Sequence, residues 1–327
     1  MTEKKIAQLD AEMLAALGVV TAGGRGALSP LKPFEPVFSM DAALRRLLQA
    51  GLLDSVGKTS AQMQTVIKTL AAPKAALEID TFGKEERGIT IYYADQSPPV
   101  AVMQEINAEE NLLILESPPS EDEVLSNFPK PAKISEPLFS AELSQEKSKC
   151  LAVMLDLQCQ AMLAELSRKG EMEEYIPAAI VPTQALDDGL ALFASRDETP
   201  GWLISGFLDG ILPSENLPQP DRDAALNELA REGFIVKVEE GWKLPEHIAN
   251  WANHAYVYDE CALLTLQHDV AEWDTREECL FCARNNEVEL VLTRKQNGLI
   301  GFNKCTIEEL HERLKALVRQ NPAFLLE

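Results

Sequence analysis

Cys279 and Cys282 have the spacing of a redox or metal-binding Cys-x-x-Cys pair, and no other pair in the chain does. Redox versions sit at a helix N-terminus, where the dipole lowers the thiol pKa. Here the flanking residues, Cys279 to Arg284, read as a strand. On a strand, residues i and i+3 point to opposite faces, which is wrong for chelating one ion. No second cysteine pair or histidine pair completes a zinc set.

The four histidines offer little more. His247 and His254 lie seven apart on one predicted helix and share a face, with Glu246 or Asp259 as nearby carboxylates. His268 and His311 stand apart from them. Gly23-Gly24-Arg25-Gly26 loosely resembles a phosphate loop, but no Lys-Ser/Thr follows, so it reads as a connector. There is no Gly-x-Ser-x-Gly elbow. The acidic clusters at Glu121–Glu123, Glu171–Glu174 and Glu277–Glu278 lack calcium-loop spacing. The expectation is a chain with no catalytic residues, no cofactor site and no metal site, and so not an enzyme.

Composition narrows the class. At 327 residues two domains are the prior. Thirty basic against 52 acidic residues leave a net charge of −22. That balance repels a phosphate backbone and an anionic membrane, so neither nucleic acid nor membrane is expected as a partner. No uninterrupted apolar run approaches the ~20 residues that span a bilayer. Met1 to Asp10 has no apolar core of a secretory signal. Six scattered cysteines read as free thiols in a reducing cytoplasm.

Periodicity places the elements. Asp10 to Leu17 reads as a short helix. Ser39 caps a helix from Met40 to Ala50, with Leu44, Leu47 and Leu48 on its apolar face and Gly51 ending it. A second helix runs from Thr59 or Ser60 to Ala72, before Pro73. The period then changes to 2. Ala75 to Phe82 reads as a half-buried strand, with Leu77 and Ile79 inward and Glu78 and Asp80 outward. Strands at Ile89–Ala94, Val100–Ile106 and Leu112–Leu115 follow, then a short helix from Ser120 to Phe128.

The order then recurs. A long helix, Ser148 to Lys169, has no evident counterpart earlier in the chain. Ala185–Ala194 and Asp221–Arg231 read as helices, and Pro245 opens another to about Tyr256. Strands at Ala262–Leu266, Cys279–Arg284, Val288–Thr293 and Leu299–Phe302 precede a closing helix, Thr306–Arg319. The match is literal in places. Asp41-Ala-Ala-Leu44 returns as Asp223-Ala-Ala-Leu226, and Gly51-Leu-Leu53 as Gly233-Phe-Ile235, both 182 residues on. An internal duplication accounts for this.

The expected fold is α+β: two repeated modules, each of helices, a three- to four-stranded antiparallel sheet and a closing helix. The two are expected to be related by a pseudo-two-fold axis. The expected boundaries are residues 1–130 for the first module, 131–147 for a linker and 148–327 for the second. The stretch Asp221 to Trp242 also looks like the second helix and wing of a winged helix. Its helix is acidic on balance (Asp221, Asp223, Glu228, Glu232), which suits protein contact better than DNA reading.

Several segments carry a family resemblance. They are Leu44–Leu53 (LRRLLQAGLL), Met63–Pro73 (MQTVIKTLAAP), Ala76–Thr81 (ALEIDT), Asn111–Leu115, Ser120–Pro129 (SEDEVLSNFP) and Gly298–Leu317 (GLIGFNKCTIEELHERLKAL). The first module resembles half of an EspG-type chaperone of type VII secretion systems, and the C-terminus is similar to that family's last strand and helix. Glycine- and arginine-rich strand segments common in that family are replaced here by Lys, Glu and Gln. The resemblance implies a cytoplasmic protein-binding chaperone or adaptor, one that shields the apolar tip of a helical secretion substrate. The other readings are a winged-helix-related regulator and an enzyme with an unrecognised site.

Overall fold

The computed structural model describes residues 5–20, 26–31, 39–59, 61–83, 88–95, 101–107, 112–116, 139–169, 177–195, 203–212, 221–254, 258, 260–271, 274–284, 289–294, 297–304 and 307–320. Helices and antiparallel strands are mixed, so the chain is α+β. It divides into two compact units. One comprises Met1–Lys130, Ala262–Glu278 and His311–Glu327, and the other Pro131–Cys261 and Cys279–Leu310.

The N-terminal unit begins with β1 (Lys5–Asp10), α1 (Ala11–Val20), α2 (Met40–Gln49) and α3 (Ala61–Ala71). Strands β2 (Ala75–Gly83), β3 (Gly88–Ala94), β4 (Ala101–Asn107) and β5 (Leu112–Glu116) follow. The sheet order is β1-β5-β4-β3-β2, antiparallel throughout. Its core joins Met13, Leu14 and Leu17 of α1, Leu47 of α2, and Val66, Ile67 and Leu70 of α3 to Ala76, Tyr93 and Leu115 of the sheet. β1 was not foreseen. Leu9, fully buried, pairs with Leu113 of β5, so this strand is fixed by a partner more than a hundred residues away.

The C-terminal unit opens the same way, with β6 (Phe139–Leu143) leading into α4 (Gln145–Lys169). Then come α5 (Thr183–Ser195), α6 (Leu203–Ile211), α7 (Arg222–Arg231), the hairpin β7 (Val236–Val238) and β8 (Gly241–Lys243), and α8 (Glu246–His254). The chain ends with β9 (Glu260–Ala271), β10 (Asp274–Arg284), β11 (Glu289–Arg294), β12 (Ile300–Lys304) and α9 (Ile307–Val318). β10-β11-β12-β6 are neighbours in that order. Residues 262–271 of β9 belong to the N-terminal unit, where Asp269 N–H donates to the Lys74 carbonyl (3.0 Å).

Several expectations need correction. Residues 131–147 are not all linker: Phe139–Leu143 pairs with β12, and its alternate residues Ala141 and Leu143 are buried. The long helix has a counterpart in position, because β1 leads into α1 as β6 leads into α4, and each of these strands pairs with a later one, β5 and β12. β2 is not half-buried. Ala76 and Asp80 are buried along with Leu77 and Ile79, so both of its faces are covered. On α2 the buried residues are Ala43 and Leu47, one turn apart, while Leu48 is exposed. Leu48 lies about 100° round the helix from Leu47, at the edge of what a packed stripe covers. The helix read at Ser120–Phe128 lies outside the described residues.

Gln145–Arg168 is long and apolar enough to cross a membrane, which a search for uninterrupted apolar runs overlooks. Its surroundings mark it as a core helix. Residues 150–156 are buried without a break, and α4 packs against α5, α6, α7 and α8. Over that buried stretch the helix is contacted on all sides and has no need of a polar face.

Helices α2 and α7, 182 residues apart, begin and end on the same backbone contacts. The Ser39 side chain accepts from Ala42 N–H, and the Asp221 side chain from Ala224 N–H. At the other end, Leu52 N–H donates to the Leu47 carbonyl (3.0 Å) and Phe234 N–H to the Leu229 carbonyl (2.9 Å). Gly51 (φ +71°) and Gly233 (φ +84°) supply the left-handed residue that each helix end requires.

Candidate functional site

The residues with chemical spacing are dispersed by the fold. Cys279 and Cys282 are buried on β10, opposite Arg294 and Val291 of β11. The pleat sends their side chains to opposite sides of the sheet. His247 is exposed on α8, His268 is half-buried on β9, and the side chains of His254 and His311 lie outside the described residues. Glu277 and Glu278 are half-buried on β10, where Glu277 accepts from Gln267 (3.0 Å). The clusters at 121–123 and 171–174 lie outside the described residues, as do Gly23 to Arg25. Gly26 caps α3: its N–H donates to the Ala71 carbonyl, and a Cβ there would meet Ala72 Cα at 3.3 Å. Among the described residues no three His, Cys, Asp or Glu side chains are grouped to hold a metal ion.

One polar row escaped the sequence reading, and it runs along α4. Asp156 is 1% exposed and accepts from the N–H groups of Ile204 (2.9 Å) and Ser205 (2.8 Å). These are first-turn donors of α6, which no residue within that helix can satisfy. Asp156 therefore caps α6 from another element. Burial pushes its carboxyl up to about 6, against the opposing pull of Ser205 and the N–H groups of α6. Two residues on, Gln158 donates to Asn253 (2.9 Å) and accepts from Ala179 N–H (2.7 Å). Cys159 donates to the Ala252 carbonyl (2.9 Å). The signal was an aspartate within the apolar run Cys150 to Leu157. A carboxylate placed there must find donors or neutralise.

Around this row the chemistry is quiet. Burial raises the thiols of Cys150, Cys159 and Cys261 to about 12, and none of the five described cysteines is in a disulfide. Nucleophilic attack needs the thiolate. Native protein at pH 8 should therefore leave these thiols unmodified by a disulfide reagent, and urea should release them. Rapid titration of Cys159 or Cys261 in the folded chain would contradict this burial. The Tyr258 hydroxyl is likewise driven well above its usual value, mainly by burial and then by Cys159, Cys261 and Asp156. Its ring meets Phe207, which stacks on Phe281 at 4.3 Å.

The surface of α7 and the hairpin that follows it is acidic and ion-paired. Lys147 is held by Glu232 (2.8 Å) and Glu228 (3.5 Å) of α7, and Arg222 by Asp187 and Asp223. Asp223, Glu228 and Glu232 are exposed. The hairpin itself is rigidly seated. Val181 and Trp242 exchange both backbone hydrogen bonds (2.7 and 2.9 Å), and Lys237 covers the Trp242 ring. Val236 on the hairpin and Ile180 beside it stand exposed. In the N-terminal unit the corresponding turn presents Val56, 78% exposed. Asp54 fixes that turn by accepting from Val56 and Lys58 N–H (2.9 and 2.8 Å), with Gly57 at φ +75°.

The chain matches no family model and no curated protein. Among solved structures it is similar to the Mycobacterium tuberculosis type VII secretion system chaperone EspG5, solved in complex with a PE25–PPE41 dimer. Identity is 10%, 96% of each chain is covered, and the TM-score is 0.46.

Proposed function

We propose that this chain is a cytoplasmic, non-enzymatic protein-binding chaperone or adaptor on an internally duplicated scaffold. Its partner would be a helical secretion substrate of the type VII kind. The observation that carries this reading is how side chains are used. The buried Asp156, Gln158 and Cys159 are spent on holding neighbouring elements, while Val56, Ile180 and Val236 stand exposed on hydrogen-bonded turns and a hairpin. Apolar groups on a pre-set backbone bind with little ordering cost. The segments similar to EspG-type chaperones, Leu44–Leu53 and Gly298–Leu317 among them, support the choice of partner class. A net charge of −22 suits a protein that must avoid non-specific association.

The test is recovery of partners from the native host with the tagged chain, followed by titration of the recovered protein. The expected result is a helical partner whose affinity falls on Val56→Asp or Val236→Thr, with the unfolding midpoint unchanged. Recovery of no specific helical protein would overturn the reading. Retardation of duplex DNA at low salt would favour the winged-helix alternative instead.

A further inference from the structure

The turn between β11 and β12 contains Asn297-Gly298, the only Asn-Gly step in the chain. Asn297 is exposed, and Gly298 adopts φ +78°. The Asn297 side-chain oxygen accepts from Leu299 N–H at 3.1 Å. That bond draws the side-chain carbonyl forward along the chain and polarises it. Glycine has no Cβ to shield its peptide nitrogen, and a Cβ at Gly298 would meet nothing nearer than Gln145 Nε2 at 4.0 Å.

We propose that Asn297 is a site of spontaneous covalent modification, with water as co-reactant. The Gly298 nitrogen, its proton taken by solvent base, bonds to the side-chain carbonyl carbon of Asn297. The carbon–nitrogen bond of the amide breaks and ammonia leaves with a proton from solvent, giving a five-membered cyclic imide. Water then opens the imide. Attack at the side-chain carbonyl yields aspartate with the normal backbone. Attack at the former main-chain carbonyl yields isoaspartate, whose backbone runs through Cβ and is one carbon longer. No oxidant or reductant is involved.

The fold makes the second product consequential. Arg294 and Ile300 pair across this turn, and Ile300 also pairs with Leu143 of β6. Ile300 and Phe302 are fully buried. An extra main-chain carbon must therefore be absorbed within the few turn residues or by a shift of a buried strand. A one-residue slip would turn the strand's core side chains outward.

The test is incubation of the purified full chain at mildly alkaline pH, with peptide mass mapping and labelling by an isoaspartyl methyltransferase. Asn297 should convert at least ~10-fold faster than Asn303, which is buried on β12, because only Asn297 is followed by an unshielded glycine nitrogen. Gly298→Ala and Asn297→Gln should each abolish the excess labelling, and ageing should lower the unfolding temperature of the wild-type chain more than that of either variant, each measured against its own fresh sample. Conversion at Asn297 no faster than at Asn303, or equal labelling in Asn297→Gln, would overturn the proposal.

Discussion

Replacing Asp156 by alanine is expected to destabilise the chain by about 3–5 kcal/mol, read from urea unfolding. The side chain accepts from Ile204 and Ser205 N–H, and neither donor has a route to water in the described packing. An orphaned buried donor costs about 1–3 kcal/mol, and the lost cap adds to it. Asp156→Asn keeps one oxygen acceptor and carries no charge to bury, so at neutral pH it should cost far less than alanine. The pH dependence separates charge from hydrogen bonding. Burial lifts the folded-state value from 3.8 to about 6, so the native chain binds this proton more tightly than the unfolded one. That contribution is fully present below 3.8 and is lost as pH rises through about 6. The stability difference between wild type and Asp156→Asn should therefore shrink from pH 4 to pH 7. A difference that grows over that range would mean that the N–H donors outweigh burial.

The second large effect is expected at Gly241. A Cβ there would sit 2.2 Å from the Val181 carbonyl oxygen and 3.0 Å from Pro182 Cα, with φ at +150°. The obstacle is backbone, and it cannot retreat, because Val181 and Trp242 exchange two hydrogen bonds at this point. Gly241→Ala should cost at least about 3 kcal/mol, from steric strain and the broken bridge together. It should also release amide exchange at Val181 and Trp242. Gly51→Ala and Gly233→Ala are the controls. Both residues have positive φ, but nothing lies within 4 Å of a Cβ. Each should cost only about 1 kcal/mol, the conformational penalty alone. Equal effects at all three glycines would show that φ, and not the approach of Val181, sets the cost.

What the sequence determined by itself was local. Ser39 and Asp221 marked helix starts, Gly51 and Gly233 marked helix ends, and the change of period after Pro73 marked the first of four strands. Caps and glycine ends act within a few residues, so they are legible where they stand. Tertiary structure decided the rest. β1 and β6 are short segments that become strands because β5 and β12 offer them an edge, and no periodicity announces a partner so distant. The outward side of β2 is buried because something covers it, which alternation cannot reveal. Asp156 interrupts an apolar run, and it is the cap of another helix 47 residues further on, from Asp156 to Leu203. Such roles depend on which donors packing strands away from water, and that is fixed only when distant elements meet.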